Sequence, residues 1–592
     1  MLKSFRRMFF IYNGYRLRLF FSQVLLAISA LASIASATLS QRLINQGLMA
    51  GDAEVVIDSG IWMVLLALLA GATLAGTAAF AVFFAQGTAY VARTEVYNKI
   101  QTFSFANFDQ FRTGNLLVRL NTDVNNIANA VMYSVMLLLY APLMVIVAFV
   151  LTAISVPSLF WILVVVTIAV LVVMSFIVPQ IFRAYDERQE RLDALNNTLQ
   201  ENLAGVRVVK AFVREKLEIE QFAKRAAAMR VPAFAAAYRV ALLNPLLTAI
   251  AQISVAASIF VGGVQVLNKT GLNSGELVMF IQYLGMVVTP LALMAVVVPF
   301  ILRGDASAKR LWEVIDAEPA VEDKPDARAV EPATITGRVV FENVSFAFRR
   351  ADGKLDPPAL KQINLTIEAG ERVGILGATG AGKSALVNLI PRFYDVTEGR
   401  ITIDGVDVRD FSEANLRQIV GITLQEAVLF QGDLRFNLKF GAPAAEDQVM
   451  FDAARAADAF GFIDNLPQKW EAPVARRGYN FSGGQRQRLA MSRTLTTMPR
   501  ILILDDSTSA LDVATESRVQ SAIPDFTSHV TTIYIAQRIS AVINLDKIVL
   551  MENGQILATG SHEELMKSNS LYQEIYASQL GAGVTEGMEV QS

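Results

Sequence analysis

Six long apolar stretches dominate the first half of the chain, at roughly 19–40, 59–85, 131–154, 159–182, 236–267 and 277–302. Each is long enough to cross ~30 Å of hydrocarbon as a helix. The fifth is the least clean, because Arg239 sits near its start. From about residue 337 the pattern changes. Short apolar runs of strand type (Arg338 to Phe348, Ile363 to Ile367, Arg372 to Leu376) lead into alternating helices and strands, the pattern of an α/β nucleotide-binding domain. Between the halves, residues 317–336 (AEPAVEDKPDARAVEPATIT) are rich in Pro, Ala and acid and read as a linker. The expected organisation is a membrane domain over 1–316, a linker over 317–336, a soluble domain over 337–580, and a small, polar, disordered tail over 581–592.

Basic residues orient the spans. They cluster at the N-terminus (Lys3, Arg6, Arg7, Arg16, Arg18), between spans two and three (Arg93, Lys99, Arg112, Arg119), and between spans four and five (Arg183 through Arg225). The other loops carry Arg42, nothing in Val156 to Ser158, and Lys269. Positive charge marks the cytoplasmic side, so both termini and the two long segments are expected there, in a multi-pass protein of the cytoplasmic (inner) membrane. Glu187 to Phe222 keeps helical spacing, so the spans are expected to continue beyond the bilayer as helices. The basic start before an apolar run resembles a signal peptide, but no small-residue cleavage site clearly ends the run. An uncleaved first span is expected.

Composition narrows the chemistry. The 592 residues are 53% hydrophobic with a net charge of −2, which gives no reason to expect nucleic acid. The absence of cysteine excludes disulfides, thiolate metal sites and cysteine nucleophiles. Two histidines, His529 and His562, exclude a tris-histidine metal site. Against this, Gly377-Ala378-Thr379-Gly380-Ala381-Gly382-Lys383-Ser384 fits GxxxxGK[ST] between a strand and a helix. Such a loop cradles phosphates on backbone N–H groups; Lys383 is expected at the β/γ-phosphates of ATP and the Ser384 hydroxyl on Mg²⁺.

Downstream, FSGGQ (Phe481 to Gln485) opens a helix, and the strand Ile501 to Leu504 delivers Asp505 and Asp506. With the phosphate loop, this set resembles the ATPase domain of ABC transporters, and the whole chain is similar to an exporter half-transporter. The resemblance implies an α-helical membrane domain of six long transmembrane helices fused to an α/β P-loop ABC ATPase domain. By the same resemblance, Phe348 stacks on adenine, Gln425 and Asp505 join Ser384 around Mg²⁺, and Ser509 to Asp512 form a loop across a dimer interface. Ser482, Gly483, Gly484 and Gln485 would close over the ATP held by a partner chain. Coupling helices are expected near Thr113 to Asp123 and near Asn202 to Lys210.

The chain departs from the family at several positions. Ala385 stands where Ser or Thr is frequent, removing one donor to the phosphates. Asp506 replaces the usual catalytic Glu, and Gln537 replaces the switch His. Asp is one methylene shorter, and Gln carries no charge and shuttles no proton. Residues 472–478 read APVARRG where TEVGERG is frequent, so Pro473 and Arg476 put contact with the coupling helices in doubt. Asp506 and Gln537 with an intact FSGGQ form the pattern of the degenerate subunit of bacterial heterodimeric multidrug exporters. This implies a partner half-transporter with intact catalytic Glu and switch His, and export of hydrophobic or amphipathic drugs or lipids. The alternatives are a slow homodimeric exporter or lipid flippase, and an ATP-gated regulator or channel. In the spans, Gln252, Gln282, Tyr133, Tyr140 and Asn244 are scattered polar groups, Arg239 reads best as a snorkelling side chain, and Pro245 and Pro290 are candidate kinks.

Overall fold

The computed structural model describes residues 3–10, 16–138, 140–350, 353–506, 513–526 and 529–580. Its contacts divide the chain into two compact units. The first comprises Met1–Ile100 and Leu116–Ala317, the second Gln101–Asn115 and Glu318–Ser592.

The first unit is helical. Among the described residues, six helices are long and apolar enough to cross a membrane: Arg16–Leu48, Ala53–Gln101, Thr113–Ser155, Pro157–Ala204, Glu215–Leu267 and Ser274–Ile315. They run from 33 to 53 residues. At 1.5 Å per residue the longest reaches about 80 Å, more than twice what the hydrocarbon requires. The fifth helix runs unbroken through Pro232 and Pro245, and the sixth through Pro290 and Pro299. Tyr283, Phe280, Leu159, Leu163 and Val287 are buried in one core. Leu65, Leu68, Trp62 and Phe83 stay exposed, as a lipid-facing surface requires. Near the ends of the third and sixth helices, buried Asp123 pairs with Arg310, and Asn126 donates to Ser307 at 3.1 Å. The short helix Lys3–Phe10 buries Phe5 and Met8, while Arg7 lies over the Trp312 ring at 3.6 Å and pairs with Asp316 at 2.6 Å.

One sequence expectation is displaced. Thr113 to Asp123 is the beginning of the third long helix, with a π-helical turn at Arg119–Asp123. The separate short helix lies upstream, at Phe105–Gln110. Ser104 and Asn107 cap it reciprocally, satisfying N–H groups that would otherwise be orphaned. It belongs to the second unit: Phe105 stacks on Phe393 at 4.1 Å, and Asp109 accepts from the Tyr394 hydroxyl at 2.8 Å. The other expected position, Asn202 to Lys210, holds a break after Ala204 and a short helix, Val206–Ala211.

The rest of the second unit is built on a six-stranded sheet in the order Gln555–Gly560, Lys547–Glu552, Arg372–Leu376, Thr531–Ala536, Ile501–Asp505, Val420–Thr423. All neighbours are parallel except the first pair, a hairpin. Ile501 to Leu504 are buried on both faces, which explains their uninterrupted apolar run. A second sheet, antiparallel, orders Leu360–Ile367, Val339–Phe346, Glu398–Ile403 and Val406–Asp407. The Pro- and acid-rich segment before it is pinned to this unit: Arg328 N–H donates to the Asp410 carbonyl at 2.7 Å, Val330 N–H to Asn415 at 2.9 Å, and Val321 and Ile335 are buried. The tail over 581–592 lies outside the described residues.

Candidate functional site

Strand Arg372–Leu376 lies between Lys547–Glu552 and Thr531–Ala536, and the glycine loop leaves its C-terminal end. Ligands of open α/β sheets bind at that edge. Two glycines are required there by backbone conformation, Gly380 at φ 87° and Gly382 at φ 97°. A Cβ on Gly377 would lie 2.3 Å from the Met551 carbonyl oxygen, and one on Gly382 2.8 Å from that of Ala359. Gly382 caps the helix Lys383–Asn388, and Thr379, Gly380 and Gly382 line one cleft with the start of that helix. Lys383 is buried; its Nζ donates to the carbonyls of Gly377 at 2.7 Å and Ala378 at 2.9 Å, and burial pulls its pKa down. Ala381 is buried beneath the loop, while Thr379 and Ala385 line the cleft.

The two carboxylates arrive from the next strand but one. Asp505 ends strand Ile501–Asp505, and its Oδ1 accepts from the Ser384 hydroxyl at 3.2 Å. Asp506 turns into the left-handed region at φ 46°, with its N–H donating to the Ile535 carbonyl at 3.2 Å. Its Oδ2 accepts from the side-chain amides of Gln425 at 3.4 Å and Gln537 at 3.2 Å. Burial pushes both carboxyls up from their ordinary range, and the Asp506 charge adds to the rise at Asp505. Phe348 stands edge-on to Phe346 at 4.8 Å and to Tyr394 at 5.5 Å.

Phe348, the glycine loop, Lys383, Ser384, Gln425, Asp505, Asp506 and Gln537 thus border one cleft of about 310 Å³. The donors Ser384, Asp505 and Gln425 are hard oxygen groups of the kind Mg²⁺ prefers, and they border the cleft together with Lys383 and the glycine loop; the residues present fit MgATP. Ser482 to Gln485 stand apart from this cleft. Ser482 caps helix Gly483–Leu495, accepting from Gln485 N–H at 3.3 Å and donating its own N–H to Gln485 Oε1 at 2.9 Å. Gly483 lines a second cleft of about 270 Å³, with Glu426 and Arg477. Asp512 and the loop from Ser509 lie outside the described residues.

Two features went unread in the sequence. Tyr394 supports both Phe348 and the short helix Phe105–Gln110; a lone Tyr after a helix gives no periodic signal. Arg477, within APVARRG, pairs with Glu426 at 2.9 Å, joining that segment to the residue after Gln425. Of the histidines, His562 Nδ1 meets the Tyr572 hydroxyl at 2.8 Å, and neither His562 nor His529 is among the described residues lining the 310 Å³ cleft.

The comparisons agree with this architecture. The ABC transporter transmembrane region family matches residues 19–291, and the ABC transporter family matches residues 360–509. An uncharacterized ABC transporter ATP-binding protein of Bacillus subtilis, YfiB, is 32% identical over 541 residues, covering 91% of this chain and 92% of its own. An ATP-dependent lipid A-core flippase of Syntrophus aciditrophicus is 35% identical over 490 residues, 82% of this chain and 79% of its own. The solved structure of a bacterial Atm1-family ABC exporter with ATP bound superposes with a TM-score of 0.79 at 26% identity, over 97% of this chain and 100% of that one. Six apolar helices and one ATPase unit on a single polypeptide make this chain a member of the ABC transporters, an exporter half-transporter with an ABC-type ATPase.

Proposed function

We propose that this chain is the catalytically degenerate half of a heterodimeric ABC exporter, moving hydrophobic or amphipathic compounds out across the cytoplasmic membrane. The observation that carries the reading is the carboxylate after Asp505: the short Asp506, held by Gln425 and Gln537 in the cleft that Phe348, Lys383 and Ser384 also line. A general base must reach the attacking water. A carboxylate set back by about 1 Å can lose ~10²-fold in rate. Gly377 to Ser384 would hold the phosphates, Phe348 the base, and Ser384, Gln425 and Asp505 the Mg²⁺, whose charge offsets that of the phosphates. The capped helix start at Ser482 to Gln485 would complete the ATP site of a partner that carries the missing Glu and His; Asp512 would cross between them. The termini and the helix extensions would lie in the cytoplasm.

The substrate class rests on the membrane unit. A cleft of about 460 Å³ is lined by Ser33, Ser36, Tyr140, Gln282 and Thr289 among apolar neighbours, with no charged residue among the described residues that line it. Neutral hydrogen-bonding groups in an apolar wall suit an amphiphile more than an ion. The likeness to lipid A-core flippases favours a second reading, a homodimeric lipid flippase.

ATP turnover distinguishes the two. The purified chain is assayed alone and with the half-transporter encoded beside it, with Asp506→Glu and Gln537→His in parallel. Near-zero turnover alone and robust turnover together support the heterodimer. Robust turnover by the lone chain overturns it and leaves the homodimeric exporter.

A further inference from the structure

The Asp506 carboxylate carries more than a missing methylene. Its Oδ2 accepts from two amides at once, Gln425 Nε2 at 3.4 Å and Gln537 Nε2 at 3.2 Å. The backbone closes the same ring: Asp506 N–H donates to the Ile535 carbonyl, Ile535 pairs with Asp505 across the parallel ladder, and Gln537 follows directly on the strand Thr531–Ala536. Residues 505–506 and 535–537 are therefore tied twice, once through the main chain and once through the side chains. A glutamine N–H can only donate, and an ionised carboxylate can only accept. Two amides thus converge on one oxygen of the carboxylate and fix how that oxygen is held. Lys383 Nζ donates to the loop carbonyls of Gly377 and Ala378.

Resting on the degenerate-site reading, we propose that Gln537 is a positioning residue that acts through Asp506, its amide tethering Oδ2 to the end of strand Thr531–Ala536 so that the carboxylate does not serve as a base and the site keeps its ATP. Gln537 then has a different task from a switch residue that touches the phosphates. It restrains the neighbouring acid, and its effect exists only while that acid is present. Asp506 and Gln537 are one device: the short acid brings its oxygen to the amide, and the amide keeps it there.

The test is a double-mutant cycle on the full chain assembled in lipid nanodiscs with the half-transporter encoded beside it, whose own catalytic Glu is replaced by Gln, with protein in excess over γ-labelled MgATP. Single-turnover phosphate release is followed for the wild type, Gln537→Met, Asp506→Ala and the double variant. Methionine keeps the length and bulk of glutamine and removes the N–H. Binding of trinitrophenyl-ATP without Mg²⁺ reports that each variant still folds its nucleotide cleft. One hydrogen bond is worth roughly 2- to 10-fold, so Gln537→Met is expected to speed release by about threefold or more when Asp506 is present. In the Asp506→Ala background it should change nothing, and analogue binding should stay within about twofold throughout. Equal effects in both backgrounds, no effect or a slower rate beside Asp506, or a loss of analogue binding would each overturn the tether. The degenerate-site reading is judged separately, by the wild-type rate against Asp506→Glu: a fast wild type sinks that reading, while the cycle still decides whether Gln537 works through Asp506.

Discussion

At the scale of single residues, the cleft at the glycine loop depends on where Cβ atoms are forbidden. Gly382 sits at φ 97°, and a methyl there meets the Ala359 carbonyl. Left-handed backbone costs an L-residue about 1–2 kcal/mol before any clash. Gly382→Ala is therefore expected to weaken ATP-analogue binding by about tenfold or more, read by fluorescence titration, with the fold retained by circular dichroism. Phe348 is more forgiving. Its ring is oriented by Phe346 and Tyr394, so Phe348→Tyr should leave analogue affinity nearly unchanged, and Phe348→Ala should lose roughly 2- to 10-fold, the worth of one aromatic contact. Near-wild-type affinity in Phe348→Ala would remove that ring from the adenine site. These positions were legible because the phosphate loop is contiguous and each residue type has one physical job. The amides on Asp506 were not, because Gln425, Asp506 and Gln537 come from three separate stretches of chain that only the parallel sheet brings together.

At the scale of elements, the six membrane helices follow from apolar length alone, and the strand–loop–helix unit from a change of period. Local interruptions were harder to place. The family resemblance points to a coupling helix near Thr113 to Asp123, yet the backbone there passes through a π-helical turn and continues as the third helix. The true short helix, Phe105–Gln110, starts at a Ser104–Asn107 cap, and its neighbours Phe393 and Tyr394 lie nearly three hundred residues away, beyond any local pattern. Phe105→Ala is expected to lower drug- or lipid-stimulated ATPase activity while leaving ATP-analogue affinity intact; equal loss of both would assign the ring to the nucleotide cleft instead. The third and sixth helices carry an asymmetric ion pair, with Asp123 1% and Arg310 46% exposed. Removing the arginine strands a buried charge, so Arg310→Ala should destabilise by about 3 kcal/mol and Asp123→Ala by distinctly less, because a lone half-exposed guanidinium still reaches water. Thermal unfolding in detergent decides the order.

At the scale of the whole molecule, the sequence divides at a boundary near residue 317, and so does the contact pattern, with one exception. Residues Gln101–Asn115 leave the helical unit, join the ATPase unit, and return. The chain therefore passes between the two units three times: after Ile100, after Asn115 and after Ala317. A single proteolytic cut among residues 317–336 severs only the last of these passages. The ATPase portion is consequently not a freely exchangeable module. Expressed from residue 318 onward, it would lack the stretch that covers Phe393 and satisfies Tyr394, and would present that aromatic pair to solvent. Swapping ATPase portions between related transporters would succeed only when the fifteen residues from the far end of the second helix travel with them.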